Sequence, residues 1–391
     1  MKTITIEELE QLTPGSVIIV DVRPADTYQR GTFEGAINVP MKEFVDRYEE
    51  IPKDKPVWVL CHTGERSLDY VELLCSHGYD AGNITGGYRA YLRLQLERFM
   101  KEEDARKEKT KEIERSLIKK FRKSIWRSFT RAIQKYDLIQ EGDKIAVCIS
   151  GGKDSMLMAK LMQELQRHSD VPFELVFLVM DPGYNEINRQ KIESNAELLH
   201  IPVTIFESNI FSVANNTEKN PCYLCARMRR GHLYSKAKEL GCNKIALGHH
   251  FNDVIETTVM SMFYGSQMQA MPPKLHSTSF PGMTLIRPMY CIREEDILAW
   301  KRYNDLEFIQ CACRFTENCT MCDNGGGGSK RQEVKILLRR LKRDNPNIEK
   351  SIFRSIHAVA LDTMPGYKSE GVDHSFLERF HAMEAAADVE L

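Results

Sequence analysis

Short apolar runs alternate with amphipathic stretches along this chain. Near its start, SVIIVDVR and KPVWVLC are β-branched runs ending in polar residues, the pattern of buried parallel strands. MKEFVDRYEE and ERSLDYVELLCSHGY, between and after them, read as helices. From about residue 99 the chain reads KEEDARKEKTKEIERSLIKKFRK, without Pro or Gly and dense in charge, which predicts a solvated helix rather than a floppy linker. It continues into SIWRSFTRAIQKYDLI, whose apolar residues recur at helical spacing and should pack on the domain that follows. There IAVCIS, FELVFLVM, PVTIF and NKIALG are four strand candidates separated by helical patterns, and this alternation predicts a parallel sheet with helices on both faces.

The expected fold class is α/β: a small unit over 1–98, a charged helical linker over 99–114, a parallel-sheet domain over 115–365, and a polar tail over 366–391 that is partly disordered. A length of 391 residues exceeds one ordinary core, and 42% hydrophobic residues exclude a wholly disordered chain. Mean hydropathy is −0.39, and no run approaches the roughly 18 apolar residues of a membrane span. The acidic start MKTITIEELE lacks the apolar core of a signal peptide, so the expected location is cytoplasmic. Lys and Arg number 54 against 55 Asp and Glu, so any nucleic-acid surface must be a local patch. The 11 cysteines of so large a chain, with no export signal, point to metal or thiol chemistry rather than disulfides.

Ser150-Gly151-Gly152-Lys153-Asp154-Ser155 follows the strand IAVCIS and opens the helix SMLMAKLMQEL. Two glycines let the backbone turn tightly and approach a ligand, and free N–H groups at the helix start favour an anion. Lys153 adds a point charge, and Asp154 is placed to hold Mg²⁺ or its water. The loop is not a Walker A motif, because Val147 stands where that pattern needs its first Gly.

The spacing Cys222-Tyr-Leu-Cys225 recurs as Cys319-Thr-Met-Cys322, and two such pairs argue for a metal. Four cysteines would close a tetrahedral structural Zn²⁺, whereas three would leave one iron of a [4Fe–4S] cluster open. In Cys61-His-Thr-Gly-Glu-Arg-Ser67 a Cys ends the strand KPVWVL and is wrapped by a short loop with inward amides. That field favours a nucleophilic thiolate, with Arg66 adding charge at the rim.

These motifs carry resemblances. SGGKDS resembles the loop of the PP-loop ATP pyrophosphatases, which adenylate a carbonyl oxygen. Cys222 to Gly231, Ala246-Leu-Gly-His-His250, Met262-Phe-Tyr-Gly265, Met271-Pro-Pro-Lys274, Ile286-Arg-Pro288 and Ile292-Arg-Glu294 are similar, in that order, to the tRNA 2-thiocytidine biosynthesis proteins. The resemblance covers about 115–345. It implies an adenine-nucleotide α-hydrolase-like sheet, ATP and Mg²⁺ as ligands, and a catalytic [4Fe–4S] cluster on Cys222, Cys225 and Cys322. Cys311 and Cys313 lie close by, and Cys313 or Cys319 is the alternative third ligand. Asn252 stands where the family carries an acid, and Asp253 after it is the candidate catalytic or Mg²⁺ residue. Asp21-Val-Arg23, Gly35-Ala-Ile-Asn-Val-Pro40 and Gly86-Gly87 with the Cys61 loop resemble a rhodanese domain, which implies a persulfide carried on Cys61.

Three basic runs, Arg227 to Arg230, Lys335 to Arg343 and Lys119 to Lys123, flank the expected site and make phosphate contact the expectation. The implied partners are tRNA and a cysteine desulfurase or other persulfide donor, with no membrane; the sequence also allows a homodimer. The implied activity is ATP-dependent thiolation of C2 of an anticodon-loop cytidine. Thiolation of another nucleotide or a small molecule, and a zinc-stabilised RNA-binding sulfide sensor, are the alternatives. The GGGGS stretch at 325–329 reads as flexible, either native or inserted.

Overall fold

The computed structural model describes residues 1–208, 210, 221–309 and 330–387, and leaves out the side chains of 221–226 and 383–387. The chain divides after Glu108 into two compact units, a boundary that falls inside the helix Gly87–Ile118.

The first unit is a five-stranded parallel sheet of β1 (Lys2–Ile4), β2 (Ile18–Asp21), β3 (Ile37–Asn38), β4 (Val57–Leu60) and β5 (Ala81–Ile84), in the order β1-β5-β4-β2-β3. SVIIVDVR and KPVWVLC supply β2 and β4 as their composition predicts. The strands β1 and β3 carry too few residues for a periodicity to show, and β5, AGNI, is as long as β2 and β4 but lacks their β-branched run. Along β4 the side chains alternate. Val57, Val59 and Cys61 enter one core with Val71 and Leu74 of the helix Ser67–Ser76, while Leu60 enters the core of the opposite face. That alternation aims the Cys61 thiol at the helix.

In the second unit the four predicted strands are β6 (Lys144–Ile149), β7 (Glu174–Asp181), β8 (Val203–Glu207) and β9 (Lys244–Ala246), all parallel. Two further strands, β10 (Lys274–His276) and β11 (Thr284–Ile286), complete the order β10-β11-β9-β6-β7-β8, with β10 antiparallel. β6 pairs with β7 on one side and β9 on the other, so chain direction across the sheet reverses there. Ligands of open α/β sheets bind beyond the carboxyl ends of strands at such a point. Ile113, Leu117, Phe121, Ile125 and Phe129, four residues apart in turn, are buried in this core, so the charged helix becomes a packing helix where the apolar spacing begins. The helix Lys153–His168 is buried along one continuous run, Ser155 to Glu164, where an amphipathic helix would expose one face.

The tail departs from the expectation of disorder. Gly366–Ser369 and Val372–Ser375 form an antiparallel hairpin, followed by the helix Phe376–Ala387. Glu370 and Gly371, with φ of 52° and 84°, make the tight turn that this pairing needs. No described helix is long and apolar enough to cross a membrane.

Candidate functional site

In the first unit, Cys61 is 1% exposed at the end of β4 and forms no disulfide. The backbone N–H of Gly64 donates to its Sγ at 3.1 Å, and the Ser67 hydroxyl lies 3.2 Å from it. The same hydroxyl is 2.6 Å from Asn83 Oδ1, and Asn83 Nδ2 donates to Gly64 O at 2.8 Å. Asn83 thus ties the loop to β5. The sequence reading missed it, although an Asn inside a short buried strand is a signal that it has a partner. Gly64 has φ 84°, and a Cβ there would lie 2.6 Å from Gly86 N, so the close approach of the two loops demands glycine. A cavity of about 850 Å³ opens over the thiol, with exposed Arg66 on its rim. The Asp21–Arg23 pair braces this floor: Arg23 Nη2 lies 2.6 Å from Asp21 Oδ2, both buried, and the guanidinium sits 3.6 Å over the Tyr88 ring.

In the second unit, Gly151 has φ 81°, and a Cβ there would meet Ile192 at 2.6 Å. Gly152 is the N-cap of Lys153–His168 and makes no side-chain cap bond, so the first-turn N–H groups await an outside acceptor. Ser155 Oγ accepts from Ser150 N at 3.1 Å and donates to Gly152 O at 3.0 Å, which fixes the loop from within. A Cβ on Gly248 would fall 3.2 Å from Ser155 N, so the Ala246-Leu-Gly-His-His250 segment lies hard against the loop. Lys153 Nζ pairs with Asp154 Oδ2 at 2.9 Å and Glu294 Oε1 at 3.5 Å. Burial pulls the Lys153 ammonium down, but the two carboxylates outweigh it and hold it above the ordinary lysine value.

The loop, Met180 of β7 and Ile245 of β9 line a cavity of about 420 Å³ with Arg229, Arg230 and His249. Two polar atoms on this cavity's lining are buried without a hydrogen-bond partner, Asp154 Oδ1 and His249 Nδ1, and the His250 ring stands near the former, with Nε2 at 3.8 Å. Burial drives His249 down to about 4, so the ring is neutral at pH 7. A carboxylate oxygen left unpartnered on such a wall fits Mg²⁺. Mg²⁺ is commonly held by one or two carboxylates together with phosphate oxygens and water.

Asp253 is engaged at both oxygens: Oδ2 accepts from His250 N at 2.8 Å in a capping box, and Oδ1 pairs with Arg331 at 2.5 Å. Asn252, in the place of the family acid, accepts from Glu294 N at 2.9 Å. Arg331 also reaches Glu256 at 3.0 Å, and Lys335 reaches Glu294 at 2.7 Å. A second cavity of about 240 Å³ gathers these charges beside Lys153 and Asp154. The late basic helix Lys330–Asp344 therefore spends Lys335 and Lys342 on Glu294, Glu295 and Glu349, while Arg339, Arg340 and Arg343 stay exposed.

Positions 222 and 225 fall in the first turn of the helix Pro221–Glu239, with their side chains outside the described residues. Cys311, Cys313, Cys319, Cys322 and the GGGGS stretch also lie outside them.

Residues 5–94 match the rhodanese-like domain family and residues 121–314 the PP-loop domain family. A tRNA-cytidine(32) 2-sulfurtransferase of Alcanivorax borkumensis is 37% identical over 63% of this chain and 84% of its own length. One from Vibrio parahaemolyticus is 35% identical over 67% of this chain and 84% of its own. Among solved structures, the U34-tRNA thiolase NcsA from Methanococcus maripaludis with its [4Fe–4S] cluster is similar at 22% identity and a TM-score of 0.48, over 62% of this chain and 80% of that one.

Proposed function

The chain belongs to the tRNA-cytidine(32) 2-sulfurtransferase family, and we propose that it thiolates a tRNA cytidine with sulfur held on its own N-terminal unit. In this reading ATP enters the cavity at the carboxyl ends of β6, β7 and β9. The Gly152 helix start and Lys153 hold its phosphates, and Asp154 Oδ1 holds Mg²⁺. The cytidine C2 oxygen bonds to the α-phosphorus and pyrophosphate leaves; sulfide then forms the C2–S bond, and AMP departs with the oxygen. Neutral His249 lines that cavity and is free to accept a hydrogen bond at Nδ1. Cys61 holds the outer sulfur of a persulfide under the Gly64 amide, with the Ser67 hydroxyl alongside, until an external thiol reductant releases it.

Cys222, Cys225 and Cys322 would hold a [4Fe–4S] cluster, and thiols are the donor class that this cluster takes. When bound, it supplies an iron with a free position for sulfide. Asp253 is a positioning residue here, because its carboxylate joins the His250 cap to Arg331. One chain holding both sulfur carrier and acceptor site raises the local donor concentration.

The observation that carries this reading is the uncapped glycine helix start beside a cavity holding two unpartnered polar atoms. The test is a nucleoside digest of unmodified tRNA incubated with anaerobically purified protein, ATP, Mg²⁺ and a persulfide donor. The expected products are 2-thiocytidine and one AMP per sulfur; a different thiolated nucleoside, or none, would refute it.

A further inference from the structure

A third cavity in the second unit, about 700 Å³, is used by neither loop. The helix Arg127–Lys135 presents Arg131 and Lys135 to it, and the helix Ile348–Ser355 presents Lys350 and Arg354. Each pair is a like-charged i,i+4 pair, an arrangement that weakens a helix when nothing relieves it. All four side chains belong to exposed residues, and none has an acidic ion-pair partner among the described residues. Against them stands Asp296, whose carboxyl burial and Glu295 hold above the ordinary aspartate range. In a chain of net charge −1, this is a local concentration of positive charge without acidic ion-pair partners, in which Lys135 Nζ sits 5.1 Å over the Tyr136 ring and Arg131 bonds Cys291. The cavity also has an aromatic wall: Phe353 lies 4.7 Å from Phe251 and 4.9 Å from His357, and Tyr136 OH bonds His357 Nε2 at 3.0 Å. Cations around aromatic faces are what a looped or single-stranded nucleic acid asks for, phosphates on the former and a base on the latter.

The cavity adjoins the site already described. His250 and Glu294 line the charged cavity beside Lys153, while their chain neighbours Phe251 and Arg293 line this one. A polynucleotide crossing that wall would touch both. We infer that the cavity is an RNA-docking site that takes a tRNA nucleotide other than the one being thiolated, with its flanking phosphates on Arg131, Lys135, Lys350 and Arg354. This inference rests on the tRNA reading above.

The test is tRNA binding by the full chain and by Lys350→Gln/Arg354→Gln, measured as fluorescence anisotropy across a salt series. Two lost phosphate contacts should weaken binding about tenfold or more at low salt and reduce the slope of log K against log salt by roughly 1.4 to 1.8. ATP affinity should stay at the wild-type value, the unfolding midpoint should hold or rise slightly as the like-charge pair is relieved, and Lys350→Arg/Arg354→Lys should restore the slope. A tRNA carrying 4-thiouridine should photo-crosslink to residues 131–136 or 350–358. Unchanged affinity and slope would overturn the inference. So would a fall in ATP affinity instead, which marks a free-nucleotide site, or a change in sedimentation without a change in RNA binding, which marks a contact between copies. Wild-type protein that binds tRNA through these residues yet forms no thionucleoside would sink the activity and leave the docking site. A double variant that binds and thiolates as well as wild type would do the reverse.

Discussion

After β4 and after β6 the chain does the same thing twice: a parallel strand ends, a glycine at positive φ turns the backbone, and a helix begins. The two loops are filled differently. At Cys61 the Gly64 amide is spent on a sulfur atom of the chain itself, the Ser67 hydroxyl lies beside that sulfur while bonding Asn83 Oδ1, and Asn83 locks the loop there. At Gly152 the helix start keeps no side-chain cap, and Asp154 Oδ1 and His249 Nδ1 are left to whatever enters. A covalent carrier keeps its cargo through many encounters, so its donors can be set in advance. A nucleotide must come and go, so its loop gives the ligand the unsatisfied groups. Buried polar groups without partners cost free energy, which a bound ligand can recover.

The strongest way to break the contrast is Cys61→Ala. It should remove thiolation driven by a persulfide donor by roughly 10³-fold or more, the scale of losing a nucleophile, while free sulfide still supports turnover. Equal loss with both donors would mean that Cys61 does not carry sulfur. Next, Lys153→Ala should lower kcat/KM for ATP by about 10²-fold, as for loss of one charged stabilising group, without touching persulfide loading of Cys61. Unchanged ATP kinetics would count against the cradle. Smaller again, Ser67→Ala should slow persulfide loading of Cys61 by about tenfold, because Asn83 Oδ1 loses its buried donor and the loop its tie to β5, a cost of about 1–3 kcal/mol; Ser67→Thr should recover most of the rate.

The smallest effect belongs to His249. Its folded value of about 4 lies below its ordinary 6.5, so the unfolded chain binds the proton first. The stability this provides is complete above pH 6.5 and is lost as the pH falls towards 4. The unfolding midpoint of His249→Gln should therefore drop less than that of wild type across this window. Parallel curves would show that the ring is not held neutral.

Much of each loop was legible in the sequence, because its chemistry is local. Strand, glycine, charged or thiol residue and helix follow within ten positions, and the glycines that cannot carry a Cβ, Gly64 and Gly151, stand inside the motifs. β10 and β11 were not legible: like β9 they have three residues, but unlike it they do not sit in an alternation of strand and helix patterns. Asp253 is, from the sequence, a candidate catalytic or Mg²⁺ residue. It is held by Arg331, 78 residues further on, and no local rule could pair them. Arg229 and Arg230, expected from the sequence to contact phosphate, line the cavity beside the glycine loop, a placement that only the packing of their helix decides.

The sequence alone determined the two α/β units, the order of their strands along the chain and the two anion-binding turns, because these follow from hydrophobic period and from which residues tolerate positive φ. Tertiary structure decided which charges meet. Residues 124–136, 291–296 and 350–358 come to one cavity only because β6 lies between β7 and β9 and the flanking helices pack on the faces that this order leaves. Charge position is set by packing, and packing is not a local property of the chain.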